Sequence, residues 1–85
     1  MSNLVVYSTN NCSGCKAVVQ ELERRNIRYE VVKIDEDARA MTWFKFQGHR
    51  TVPKVYTRDG TCLAGSLMEL LKLPPAVLEP FKNNA

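Results

Sequence analysis

The sequence predicts an α/β fold in which a four-stranded mixed sheet packs against three helices, in the order βαβαββα. Three observations carry that prediction. Two apolar runs, residues 3–8 and 28–34, bracket a stretch with helical periodicity, the pattern of a right-handed βαβ unit with parallel strands. A second helical stretch follows and stops at a glycine. An Asp59-Gly60 turn then joins two short apolar runs, the pattern of a hairpin.

Each element has a local reason. Leu4, Val5, Val6 and Tyr7 run with little alternation, as in a buried strand. Thr9, Asn10 and Asn11 supply turn chemistry and candidate helix caps. The first helix carries Cys15, Val18, Val19 and Leu22 on one stripe, and Glu21 and Arg25 at a favourable spacing on the outside. Asn26 is its stop. Residues 28–34 are rich in β-branched side chains and form the second strand. Asp35 is expected to cap the second helix, with Glu36 and Asp37 in its first turn and Gly48 at its end. Ala40, Trp43, Phe44, Met41 and Phe46 give that helix a wide apolar face. The three aromatic residues are expected in the core, which a domain this small needs to fill. Thr51-Val52-Pro53 opens the third strand, 54–57, and Cys62-Leu63-Ala64 is the return strand. Gly65 and Ser66 start the third helix, which runs to about Leu73 before Pro74-Pro75 break it. Residues 76–81 read as a further short turn and 82–85 as a frayed tail.

Composition narrows the functional class. Eighty-five residues, 45% hydrophobic and 25% charged, make one domain, taken here as residues 1–85. A net charge of +3, with basic residues scattered among acidic ones, leaves no nucleic-acid footprint. No apolar run approaches the ~20 residues that span a bilayer. Met1-Ser2-Asn3 lacks the basic and apolar regions of a secretory signal, so a cytoplasmic location is expected. Structural disulfides are rare there, and three cysteines is an odd number for a disulfide scaffold.

The chemistry concentrates at Cys12-Ser13-Gly14-Cys15, between the first strand and the first helix. Two cysteines at this spacing either close a small disulfide or clamp a metal. A strand running into a helix favours thiol–disulfide chemistry. Cys12 would lie beside unpaired N–H groups at the positive end of the helix dipole, which favour the nucleophilic thiolate. Cys15, one turn deeper, would face the body of the domain. A zinc site would need Cys62 and His49 as further ligands, and neither belongs to a second ligand pair, so no metal is expected. Cys62 beside Leu63 reads as a small buried thiol, and His49 as a solvated loop residue. Lys16 either adds positive potential to the site or is an ordinary solvated helix residue. Tyr7 ends the first strand near the site, where burial alone explains it.

Tyr7-Ser8 ahead of Cys12-x-x-Cys15, Thr51-Val52-Pro53 about forty residues later and Ala64-Gly65 after the hairpin make residues 3–73 resemble a glutaredoxin, of thioredoxin-like fold. The resemblance implies catalysis by Cys12 and Cys15 and a cis bond before Pro53. It implies that the Val52 backbone pairs with a cysteinyl peptide such as glutathione. Thr51, Val52 and Pro53 would line the glutathione groove, and the N–H groups of Gly65 and Ser66 would hold the γ-glutamyl carboxylate. Arg50 and Lys54 flank the groove and would attract carboxylates, Arg50 being the stronger candidate. The implied partners are glutathione and a disulfide-bearing protein, ribonucleotide reductase among them, for a protein acting as a monomer. Three features depart from the common pattern. Thr9 stands where many glutaredoxins have Lys, Leu67 and Met68 follow Ser66 where many have Asp, and Ser13-Gly14 replaces Pro-Tyr while Ala64-Gly65 replaces Gly-Gly. These departures leave two alternatives open: a thioredoxin-like donor reduced by thioredoxin reductase, and a glutathione-dependent iron–sulfur carrier.

Overall fold

A computed structural model describes residues 3–82. The order is β1 (Leu4–Ser8), α1 (Ser13–Arg24), β2 (Tyr29–Lys33), α2 (Ala38–Phe46), β3 (Lys54–Tyr56), β4 (Cys62–Ala64), α3 (Leu67–Lys72) and α4 (Pro75–Leu78). A 3₁₀ turn at Glu79–Phe81 follows α4. The four strands form one sheet in the order β2-β1-β3-β4. β2 runs parallel to β1, with Leu4 opposite Tyr29 and Ser8 opposite Lys33. β3 runs antiparallel to β1, and β4 antiparallel to β3. The expected thioredoxin-like sheet and three helices are present, with α4 as an added short helix.

Alternation along β1 divides the interior into two layers. Leu4 and Val6 are fully buried in a cluster with Val18 and Leu22 of α1, Val55, Ala64, Leu70 of α3 and Leu78 of α4. Burying each such aliphatic side chain contributes roughly 1.5–3 kcal/mol. Tyr7 faces the other way and stacks on Trp43 of α2, ring centroids 5.0 Å apart, with Phe44 at 5.8 Å and Tyr56 at 5.5 Å.

The helix ends follow local chemistry. Asn26 takes φ +58°, and Ile27 N–H bonds the Leu22 carbonyl while Asn26 N–H bonds that of Glu23. That is the Schellman closure, with the apolar pair Leu22 and Ile27 buried beneath it. Gly48, φ +85°, ends α2. Pro75 is the first residue of α4, where its missing N–H costs nothing. α4 and its 3₁₀ turn then dock on the start of β2, Arg28 N–H bonding the Phe81 carbonyl at 2.8 Å.

Four expectations need correction. Asp37, not Asp35, caps α2, its Oδ1 accepting from the N–H groups of Arg39 and Ala40 at 3.1 Å. A turn over 34–36 delays the helix and frees Asp35 to accept from Asn10 N–H at 3.0 Å. Phe46 is 85% exposed, because the α2 stripe that meets the sheet runs through Phe44 and Trp43 and leaves Phe46 outside it. Cys62 is exposed on the edge strand β4 instead of buried. Lys82 is held by a bridge to Ile27, so the chain is ordered further than the frayed tail expected from 82 onward, whose residues 83–85 lie outside the described ones.

The two phenylalanines provide a test. Phe44→Ala should destabilise the fold by roughly 3–5 kcal/mol, and Phe46→Ala should stay within about 0.5 kcal/mol of the parent. Urea denaturation of both variants measures the contrast. Equal losses would contradict the placement of α2.

Candidate active site

β1 ends at Ser8 and the loop that follows is clipped to the β2–α2 turn by the Asn10–Asp35 hydrogen bond. Cys12 then takes an extended conformation, φ −124° and ψ 105°, as the cap of α1. Its sulfur accepts the Cys15 N–H at 3.1 Å, the bond a Ser or Asp oxygen makes in an ordinary cap. Cys12 and Cys15 are joined as a disulfide with Cα atoms 5.2 Å apart. Cys12 is half-buried, whereas Cys15 is only 3% exposed.

The Val52–Pro53 bond is cis and Pro53 is buried against the Cys12–Cys15 turn. A Cβ on Gly14 would sit 3.5 Å from Pro53 Cδ, ordinary contact. Two clefts lie near this turn, and only the second is lined by the cysteines. One, of about 220 Å³, is lined by Thr9, Ile34, Phe44, Arg50, Thr51 and Val52. The other, of about 330 Å³, is lined by Cys12, Cys15, Lys16, Val19, Val31 and Lys33.

The β4–α3 junction joins the site through Lys54. Its ammonium donates to the Thr51 carbonyl at 2.9 Å and to Thr51 Oγ1 at 3.0 Å, and reaches the Pro53 and Gly65 carbonyls at 3.4 Å. Ser66 caps α3, its Oγ accepting Glu69 N–H at 3.2 Å. Gly65 N–H donates to Glu69 Oε1 at 2.7 Å. The residues that the resemblance assigned to glutathione therefore lie in two groups. Arg50, Thr51 and Val52 share one cleft beside Pro53, and Gly65 and Ser66 stand across Lys54 from it.

The sequence profile of the glutaredoxin family matches residues 4–62. The chain belongs to the glutaredoxin family. Among similar proteins is Mycoredoxin 1 of Corynebacterium glutamicum, 35% identical over 63 residues, covering 72% of this chain and 77% of that one. The glutaredoxin-like protein NrdH of Salmonella typhimurium is 32% identical over 57 residues, covering 67% and 70%. A buckwheat glutaredoxin–glutathione complex superimposes with a TM-score of 0.66 at 27% identity, over 84% of this chain and 66%, just under two thirds, of the buckwheat chain. The protein is thus a thiol–disulfide oxidoreductase of glutaredoxin type, with Cys12 and Cys15 as its CxxC pair.

In this glutaredoxin-family site, His49 is not the solvated loop residue its sequence position suggested. Its Nε2 hydrogen-bonds the Tyr56 hydroxyl, and its ring lies 5.0 Å from that of Phe44. Burial, then the charge of Lys54, lowers its pKa below the ordinary 6.5. Burial raises Tyr56 and Tyr7 above the ordinary phenol value. Lys16 is exposed on the rim of the larger cleft. Among the described residues, no group of three or more His, Cys, Asp or Glu side chains is placed to hold a metal, and no helix is long and apolar enough to cross a membrane. Glu69, which closes the start of α3 by accepting the Gly65 N–H, is a residue that sequence reading passed over. The spacing Ser66-x-x-Glu69 is a capping-box pattern and was the available signal.

Two measurements check this geometry. With its pKa lowered, His49 stays neutral in the folded protein at pH values where the unfolded chain is already protonated. Its contribution to stability is therefore complete above about pH 6.5 and is lost as pH falls through the folded value. An NMR titration of the His49 ring should give a midpoint below 6.5, and a midpoint above it would contradict the packing. With the CxxC pair oxidised, a thiol-alkylating reagent should add once, at Cys62, and Cys62→Ser should add none.

Proposed function

We propose that the protein reduces protein disulfides and glutathionylated cysteines, with Cys12 as nucleophile, Cys15 as resolver and glutathione as the reductant. The observation that carries this reading is the unequal burial of two sulfurs on one helix start, the outer one accepting an N–H from the inner residue. The Cys12 thiolate attacks one sulfur of the target disulfide, and the other sulfur leaves as a thiolate. Cys15 gives up its proton and attacks the Cys12 sulfur of the mixed disulfide. The second substrate sulfur leaves, the Cys12–Cys15 bond closes, and two electrons have passed to the substrate. Two glutathione thiols reverse the step and become glutathione disulfide.

Family membership, the cleft holding Arg50, Thr51 and Val52 beside cis-Pro53, and a structural neighbour complexed with glutathione support the glutathione linkage. The resemblance extends the reading to ribonucleotide reductase as an electron acceptor and to a cytoplasmic setting. A second reading, reduction by thioredoxin reductase, is favoured by Thr9 standing where many glutaredoxins carry Lys.

Cys12→Ser should abolish all activity. Cys15→Ser should keep deglutathionylation and lose reduction of protein disulfides. Full disulfide reductase activity in Cys12→Ser would sink the assignment. Alkylation of the reduced protein at Cys12 should show a midpoint below the free-thiol value of about 8.5. To choose the reductant, the oxidised protein is mixed separately with glutathione plus its reductase and with thioredoxin reductase, following NADPH. Turnover with glutathione supports the first reading, and turnover only with thioredoxin reductase replaces it with the second.

A further inference from the structure

The mechanism at Cys12 uses neither the groove between α1 and β2 nor the lysines on its rim. This groove, of about 330 Å³, has both cysteines in its lining. Val19 of α1 and Val31 of β2 give it an apolar floor, and Val31 is 41% exposed. β2 is an outer strand of the sheet. Leu4 N–H bonds the Arg28 carbonyl and Ile34 N–H that of Ser8, so the even-numbered backbone groups of β2 face β1. Those of Val31 face the open edge. An extended chain entering the groove meets hydrogen-bonding groups there as well as an apolar side chain.

The charges select the kind of chain. Lys16 and Lys33 are exposed and line the groove, and among the described residues no carboxylate does. The carboxylates nearby are engaged elsewhere. Glu21 is paired with Arg24 and Arg25, and Glu23 accepts the Tyr29 hydroxyl. Asp35 accepts from Asn10 N–H, Asp37 caps α2, and Glu36 lines a separate hollow with Asp37. Glu30 lies with Val32 along the cleft that Tyr7 and Trp43 line. Among the described residues neither lysine ammonium has an ion-pair partner.

We propose that this groove receives the segment flanking the target cysteine of a protein disulfide. The segment is extended, apolar next to its cysteine and acidic beyond it. Its apolar side chain rests on Val19 and Val31, and its carboxylates meet Lys16 and Lys33. The proposal rests on Cys12 as the attacking sulfur and names the class of protein substrate that Cys12 prefers. Exposed charges act chiefly on encounter, so the preference belongs to the second-order rate and weakens with salt.

The test uses protein carrying Cys15→Ser and Cys62→Ser, in which Cys12 is the sole thiol. Three short peptides bear a central cysteine as its thiopyridyl disulfide, flanked on both sides by valine and then by aspartate, asparagine or lysine. The Cys12 thiolate attacks the peptide sulfur, the mixed disulfide forms, and the thiopyridone that leaves is followed by its absorbance. At low salt the aspartate peptide should react roughly three- to tenfold faster than the asparagine peptide, and the lysine peptide slowest. Salt at about 0.5 M should shrink that ratio. Replacing Lys16 and Lys33 together by Gln should bring it close to one, and the ratio cancels any change in the reactivity of Cys12 itself. A fourth peptide, with serine for valine in the aspartate sequence, should react roughly threefold slower than its valine counterpart. Val31→Thr should narrow that gap. Equal rates for the three charge-varied peptides, equal rates for the valine and serine peptides, or an acidic preference that survives the lysine replacements would each overturn the groove assignment. The dithiol mechanism would still stand. Release of thiopyridone from none of the peptides would mean that Cys12 is not the nucleophile, and both readings would fall together.

Discussion

The central constraint of this fold is that β1 is buried on both faces and paired on both edges. Leu4 and Val6 have no exposed surface, Tyr7 is stacked between aromatic rings, and β2 and β3 hold the two edges. A strand so enclosed has no freedom of register, because a slip of one residue would exchange its two faces. Ser8 therefore ends at one place. The loop after it is pinned by Asp35, and the Cys12–Cys15 turn is delivered with Gly14 against Pro53, without any dedicated scaffold around it.

The three longest helices begin in the same way, each with a side chain accepting N–H groups of the first turn. Cys12 does this for α1, Asp37 for α2 and Ser66 for α3. In α2 and α3 the acceptor is an oxygen whose role is capping, worth about 1 kcal/mol. In α1 the acceptor is the reactive sulfur itself. The first turn of α1 holds no acidic residue to compete for the positive end of the dipole. In the disulfide form the cap of α1 runs through the Cys12 sulfur, so the state of that sulfur and the order of the first turn are coupled.

How much of this was legible in the sequence depended on whether a local rule had a rival. Asn26, Gly48 and Pro75 each satisfy a backbone demand that few residues meet, and each sits where sequence reasoning placed a helix boundary or break. Cys12-x-x-Cys15 was legible for the same reason: spacing and helix start are local facts. Asp35 and Asp37 were rivals for one cap, and the decision came from Asn10, twenty-five residues away in sequence. Phe44 and Phe46 were both expected in the core, but two residues apart on a helix they face different ways, and only Phe44 meets the sheet. Cys62 looked buried because apolar neighbours suggested it, but an edge strand covers one side at most. His49 looked solvated because loops usually are, yet Phe44 and Tyr56 enclose it.

The site consequently has two parts with different physical origins. The chemistry is made by one continuous segment, 8–15, whose geometry follows from β1 burial and helix capping. Segments 49–54 and 65–69, which carry the residues proposed to meet glutathione, are brought together by Lys54 bridging Thr51 and Gly65. Nothing in the first part requires the charges of the second to point at a ligand. That separation gives a physical reason why one CxxC junction is compatible with more than one electron source.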